Sequence, residues 1–217
     1  MHQQVLHHLK DNDFWLTTDR CIYWKQQNAI IVSDLHFGKT GHFRKHGIGV
    51  PQNIFKEDLQ RLISLVSYFK PEQLIAVGDL FHSHANKEMD LFSKWRKDFS
   101  QLVFHLIKGN HDILKPIWYA QNEIILHQEE MCIEGISFIH DPSVEQQENC
   151  NYVFSGHVHP GVSLKIGSRQ SISFPCFYFS EKMAVLPAFS RFTGTVSLKV
   201  KASDDAYAIV NQSIIKV

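Results

Sequence analysis

The chain carries no excess charge of either sign: 22 lysines and arginines stand against 22 aspartates and glutamates. A protein that coats nucleic acid or lies on an anionic membrane usually carries a basic surplus, so any such contact here has to come from a local patch. Cysteine is scarce and scattered. Cys21, Cys132, Cys150 and Cys176 form no CxxC pair, which excludes a zinc finger. A chain of 217 residues needs no disulfide framework, so reduced thiols in a cytoplasmic protein are expected. No apolar run approaches the length of a membrane span, and the opening MHQQVLHHLK lacks the apolar core of a signal peptide. Internal repeats, low-complexity stretches and a recognisable linker are absent too, which leaves a single domain over residues 1–217 as the expectation.

Hydrophobic residues make up 44% of the chain and charged residues 20%, enough apolar material to bury a core. Histidine is plentiful, with 14 residues. It is a common transition-metal ligand and acid–base group, but only position can give that number a meaning.

The first half of the chain alternates between two periodicities. AIIVSD (29–34), QLIAVGD (73–79) and LVFHLIK (102–108) read as short buried strands. Phe55, Leu59, Leu62, Val66 and Phe69 recur at helical spacing over 52–70, and Phe92, Trp95 and Phe99 do so over 86–100. A third helix is expected near 113–121. Strand–helix alternation implies a mostly parallel sheet with helices outside it. From 123 onward short strands dominate, with 194–200 and 207–216 each read as one strand. The expected fold is α/β: two mixed β-sheets packed face to face with helices on the outside, a four-layer αββα sandwich.

Five short blocks carry the chemistry: Asp34-Leu35-His36, Gly78-Asp79, Gly109-Asn110-His111-Asp112, His140-Asp141 and Gly156-His157-Val158-His159. The first three follow predicted buried strands, and sites in open α/β sheets form beyond the carboxyl ends of strands. In extended backbone, residues i and i+2 share a face. That would aim Asp34 and His36 at one site with Leu35 in the core, and His157 and His159 likewise. Gly78 and Gly156 keep the backbone slim beside such a cluster. The ligand set is nitrogen and oxygen without thiolate, which suits manganese, iron, zinc or nickel. Two ions among such ligands clamp a phosphate for in-line displacement. Lys39 and Arg44, in the basic loop after the first block, could grip the substrate's phosphates, or the loop could simply be solvated.

The ordered blocks DLH, GD, GNHD, H and GHVH resemble the calcineurin-like metallophosphoesterase superfamily over about residues 31–160. SDLHFGKTGHFRKHGIGVP (33–51), GDLFHSH (78–84) and LPAFSRFTG (186–194) are similar to the bacterial ligase-associated DNA-damage-response endonucleases of the PdeM type. GDLFH also resembles the SbcD-type break-repair nucleases. The resemblance implies that Asp34, His36 and His159 hold one divalent ion, that Asn110, His140 and His157 hold a second, and that Asp79 bridges them, with manganese as the first choice. It implies a hydroxide bridging the ions as nucleophile and His111 as the acid, with Asp112 orienting His111 and His82 pairing with it. One departure is that many relatives carry Gly-His at the fourth block, where this chain reads Ile139-His140-Asp141.

The function this implies is a DNA endonuclease in repair, with a ligase or helicase as possible partners. Two alternatives stand beside it. One is a phosphodiesterase or phosphatase acting on nucleotides or other small esters, which a neutral chain equally allows. The other is a non-catalytic interaction scaffold, which predicts missing ligand residues where none is missing.

Overall fold

Side-chain alternation along the central strands decides the architecture. The computed structural model describes residues 3–39, 54–82, 87–144, 150–166 and 170–217. Strands β1 (Gln4–Leu9), β2 (Asn12–Thr17), β3 (Ile22–Trp24), β4 (Ala29–Val32), β5 (Gln73–Val77), β6 (Val103–Ile107) and β7 (Ile124–His127) form a seven-stranded sheet in chain order. Pairing is antiparallel from β1 to β4 and parallel from β4 to β7. Ile30, Val32, Leu74, Ala76, Phe104 and Leu106 point to one face, against helices α1 (Ile54–Phe69), α2 (Lys87–Asp98) and α3 (Pro116–Gln121). Ala29, Ile31, Ile75, Val77 and Ile107 point to the other, into the second sheet.

That nine-stranded sheet runs β14 (Val196–Ser197), β11 (Pro160–Ile166), β12 (Gln170–Phe179), β13 (Met183–Val185), β10 (Tyr152–Ser155), β9 (Ile136–Ile139), β8 (Glu130–Ile133), with β15 (Asp205–Val210) and β16 (Ser213–Lys216) extending from β12. The core between the sheets is aromatic: Phe14 lies 5.4 Å from Trp24 and 5.1 Å from Phe154, centroid to centroid. Burying each such ring contributes about 1.5–3 kcal/mol. The fold is therefore the expected α/β sandwich of two mixed sheets with helices outside, and the described helices all cover the first sheet. No helix among the described residues is long and apolar enough to cross a membrane.

The structure corrects several local expectations. Strands β1–β3 lie before the first strand read from the sequence. Their two-residue turn Lys10-Asp11 places Lys10 at φ +52°, without the Asn-Gly or Asp-Gly pair that usually announces such a turn. The segment 207–216 is a hairpin, turning at Asn211 with φ +54°, and 194–200 pairs only at Val196–Ser197. Nor are all four thiols reduced. Cys132 on β8 and Cys150 just before β10 are bonded, because β9 pairs with both of those strands and brings their ends together. Cys21 and Cys176 are free and buried, and burial raises both thiols, Cys176 to about 12.

His7 on β1 sits between the sheets, stacked 3.8 Å from Phe179 with Nδ1 3.0 Å from the Tyr207 hydroxyl. Burial pushes its pKa down to about 4, against the pull of Asp205. The folded state therefore binds this proton less readily than the unfolded chain does. The stability that neutral His7 confers is complete above about pH 6.5 and falls as the pH drops from there to about 4. His7→Phe should flatten a urea-unfolding profile across that window, removing a pH-dependent term of about 2–3 kcal/mol. A slope equal to that of the parent would refute the assignment.

Candidate metal centre

Every block of interest begins where a strand ends. Ser33–His36 follow β4, Gly78-Asp79 follow β5, Gly109–Asp112 follow β6, His140 follows β9 and Gly156–His159 follow β10. Because β4, β5 and β6 are parallel, and β9 and β10 are parallel, these ends gather at one edge of the sandwich.

The backbone there is not extended, as the i, i+2 argument assumed. Asp34 (φ +52°), His36 (+50°), Asp79 (+50°), His157 (+66°) and His159 (+51°) all adopt left-handed conformations. Each costs a non-glycine residue about 1–2 kcal/mol. The first two loops are zipped together to hold them: Asp34 N–H donates to Gly78 O (3.1 Å), His36 N–H to Asp79 O (2.8 Å) and Phe37 N–H to Leu80 O (2.9 Å). Leu35 is still turned fully into the core. Strain concentrated on the functional side chains and offset by the surrounding bonds is a pattern of working sites.

Asp34 is fully buried. Its Oδ2 accepts the His157 N–H (3.0 Å) and lies 2.6 Å from Ser33 Oγ, whose single proton is shared between this oxygen and Val77 O at 2.7 Å. Its Oδ1 lies 3.3 Å from His159 Nε2 and 4.0 Å from His36 Nε2. Burial raises this carboxyl, but the bonds and charges of His159, His140 and Ser33 prevail and hold it below its usual range. The Nε2 atoms of His36 and His159 stand 3.3 Å apart. Burial drives His36 down to about 2, so its ring is neutral.

A second convergence lies beside the first. His140 Nδ1 lies 3.2 Å from Val77 O, a carbonyl that accepts the Nδ1 proton whenever Nε2 is given to a metal ion. His140 Nε2 lies 3.1 Å from Asn110 Oδ1, 3.2 Å from His157 Nδ1 and 3.6 Å from Asp79 Oδ2. Asp79 Oδ2 also stands 3.9 Å from His36 Nδ1, while Oδ1 accepts the His111 N–H at 2.9 Å. Burial raises the Asp79 carboxyl, opposed first by His140.

Ligand atoms of Asp34, His36 and His159 all lie within 4.8 Å of one another, as do those of Asp34, Asp79 and His140. The residues fit divalent cations. Buried acceptors face one another with few protons to share, and among the described residues His36 Nδ1 has no hydrogen-bond partner. A cation resolves that repulsion as a hydrogen bond cannot.

The other candidate residues take different places. The His111 side chain is 40% exposed on the solvent side of Asp79, with Nε2 3.9 Å from Oδ2. The His82 ring lies 4.1 Å from it. Asp112 is fully buried, and among the described residues its carboxylate bonds to backbone and not to the His111 ring. Its oxygens accept the N–H groups of Phe81 (3.1 Å) and Gly109 (2.9 Å), tying the second block to the third, and burial pushes it up to about 7. Lys39 is half-buried, and its pKa is lowered by burial against the pull of Asp34 and Asp79. Arg44 lies outside the described residues.

Supporting residues that the sequence reading passed over are Ser33, Arg20 and Arg61. Arg20 donates to Ala188 O (3.0 Å) and Ser190 O (2.7 Å), and Arg61 donates to Phe189 O while pairing with Asp58 at 3.1 Å. They clamp the segment whose own N–H groups, from Phe189 and Ser190, bond the carbonyls of Ser33 and Asp34. A charged residue within the apolar stripe of α1 was the available signal for Arg61.

Comparison with known proteins agrees with this geometry. A match to the calcineurin-like phosphoesterase family covers residues 28–141. The chain belongs to that family. It is a metal-dependent phosphoesterase, a hydrolase of ester bonds. Among solved structures, the Pseudomonas putida nuclease MPE is 28% identical over 100% of both chains, with a TM-score of 0.82. Yfce, a phosphoesterase from E. coli, is 14% identical over 87% of this chain and 97% of its own, with a TM-score of 0.44. A search of curated proteins finds no match. In this phosphoesterase the family match spans four of the five blocks, and the histidines of the fifth, at 157 and 159, join them only in space.

Proposed function

We propose that this phosphoesterase is a dinuclear phosphodiesterase that cuts DNA internally, working in repair in the cytoplasm, with a ligase or helicase as partner. The observation that carries the two-ion reading is Asp79, whose Oδ2 faces a nitrogen of His36 on one side and of His140 on the other. Asp34, His36 and His159 would hold one ion, Asn110, His140 and His157 the other, and Asp79 both, with manganese the first choice over iron, zinc or nickel. Two such ions, when bound, supply Lewis-acid charge for the phosphate and a hydroxide nucleophile at neutral pH. DNA as substrate is supported by the likeness to a nuclease along the whole chain.

The protein's own groups do the rest. Asp79 fixes the His111 backbone, which leaves the His111 ring at the mouth of the site to protonate the departing oxygen. His82 packs against that ring and limits its rotation. Lys39 draws the substrate's phosphate towards the buried acids, and Arg44 would extend the same grip. His111→Ala should lower kcat by roughly 10²–10⁴-fold while metal analysis still finds two ions per chain. Loss of the ions as well would make His111 a ligand instead.

The deciding test is metal-stripped protein with manganese restored, given a circular single-stranded DNA and a small aryl phosphodiester in parallel. Cutting of the circle establishes an endonuclease. Cleavage of the small diester alone keeps the chemistry and moves the substrate to nucleotides or other small esters, the second reading that a neutral chain allows.

A further inference from the structure

A cavity of about 270 Å³ opens directly off one side of the metal centre. Its inner wall is Asn110, His140 and His157, the side-chain set of the second convergence. Its outer wall comes from elements that play no part in that set. Lys108 follows β6, Gln128 and Glu129 form the turn between β7 and β8, and Asp141 and Val144 follow β9. The space is thus adjacent to any phosphate held at the centre, within reach of a group esterified to it.

The chemistry of the outer wall says what that group is. The wall holds one lysine and two carboxylates, so it is acidic on balance and unsuited to a second phosphate. Gln128 offers both a donor and an acceptor, and Glu129 offers acceptors only. Asp141 Oδ1 is already engaged by the Ser143 N–H (2.9 Å) and hydroxyl (2.7 Å), which fixes the direction of the carboxylate. Val144, 41% exposed, adds an apolar surface. A planar ring with hydrogen-bond donors along one edge, an acceptor beside them and an apolar face matches this wall. In a duplex the Watson–Crick edge is occupied by the partner strand, whereas a single strand leaves it free to be read by polar side chains.

We propose that this cavity receives one unpaired nucleobase next to the scissile phosphate and favours guanine. Guanine alone presents two adjacent Watson–Crick donors, N1–H and N2–H, for a carboxylate to accept, with O6 beside them for the Lys108 ammonium. The inference rests on the phosphodiesterase reading above and adds a base preference to it.

The test uses the full chain and its Glu129→Ala and Gln128→Ala/Glu129→Ala variants, loaded with manganese. The substrates are single-stranded oligonucleotides of mixed sequence and a small aryl phosphodiester. Mapped cuts by the parent should fall beside guanine at least fivefold more often than beside thymine, and replacing guanine by hypoxanthine, which lacks the N2 amine, should remove most of that bias. The variants should lose the bias and lower the ratio of kcat/KM for the oligonucleotide to that for the diester about tenfold. Anisotropy titrations of the same oligonucleotides onto metal-free protein read the cavity without turnover and should show the parent's guanine preference, absent in the variants. Uniform cutting by the parent, or a bias that survives in both variants, overturns the cavity assignment while leaving the phosphodiesterase reading intact. Failure to cleave either substrate overturns that reading and the cavity assignment with it.

Discussion

Asp79→Asn should reduce turnover by about 10³-fold or more, since a shared ligand removes several kcal/mol of charge stabilisation from both ions at once. The substitution preserves volume at a position only 2% exposed, so the fold survives. An amide that keeps its oxygen on the His111 N–H must turn its NH2 towards His36 and His140, and an amide nitrogen is not a ligand. Stability should separate this effect from simple damage. Burial raises the Asp79 carboxyl, so metal-free protein loses stability as the pH rises through the folded-state pKa, and a neutral asparagine removes that loss. At pH 7 the metal-free variant should therefore melt no lower than the metal-free parent, while manganese raises Tm for the parent and little or not at all for the variant. Normal turnover with two bound ions would end the bridging assignment.

Gly78→Ala should destabilise the protein by about 3 kcal/mol and weaken metal binding. Gly78 has φ +80°, and a Cβ there would come within 2.0 Å of His140 Nδ1. The left-handed conformation costs a residue with a Cβ about 1–2 kcal/mol, and overpacking adds a similar amount. The side chain displaced is His140, whose Nδ1 bond to Val77 O presents Nε2 to Asn110, His157 and Asp79. Urea unfolding gives the first number and a manganese titration the second. A variant as stable as the parent, with the same metal affinity, would mean that the His140 ring can move without consequence.

Both effects fall on residues visible in the sequence, and the reason is local. A glycine followed by an acid at the end of a buried strand, or Asn-His after Gly, signals its role through its neighbours. Much of the fold was readable for the same reason. QLIAV and VFHLI announce buried parallel strands by composition, and α1 announces itself by the spacing of Phe55, Leu59, Leu62 and Val66. Strands β1–β3 were less visible because Phe14, Leu16, Ile22 and Trp24 alternate only briefly between polar turns, and a hairpin without Asn-Gly carries a weak local signal.

The sequence by itself determined the family of this protein, the alternation of its first half and the identity of the acids and histidines that carry its chemistry. Those depend on residue type and short-range order. Tertiary structure alone decided the rest. It set the left-handed backbone that aims Asp34, His36, Asp79, His157 and His159, because that strain is affordable only where loops from different strands bond across to each other. It turned Asp112 away from the surface to join two loops. It bonded Cys132 to Cys150 across β9 and gathered Lys108, Gln128 and Glu129 beside the His140 ring. Each of these is a relation between residues distant in the chain, and no local pattern encodes a distance that only the packing of two sheets creates.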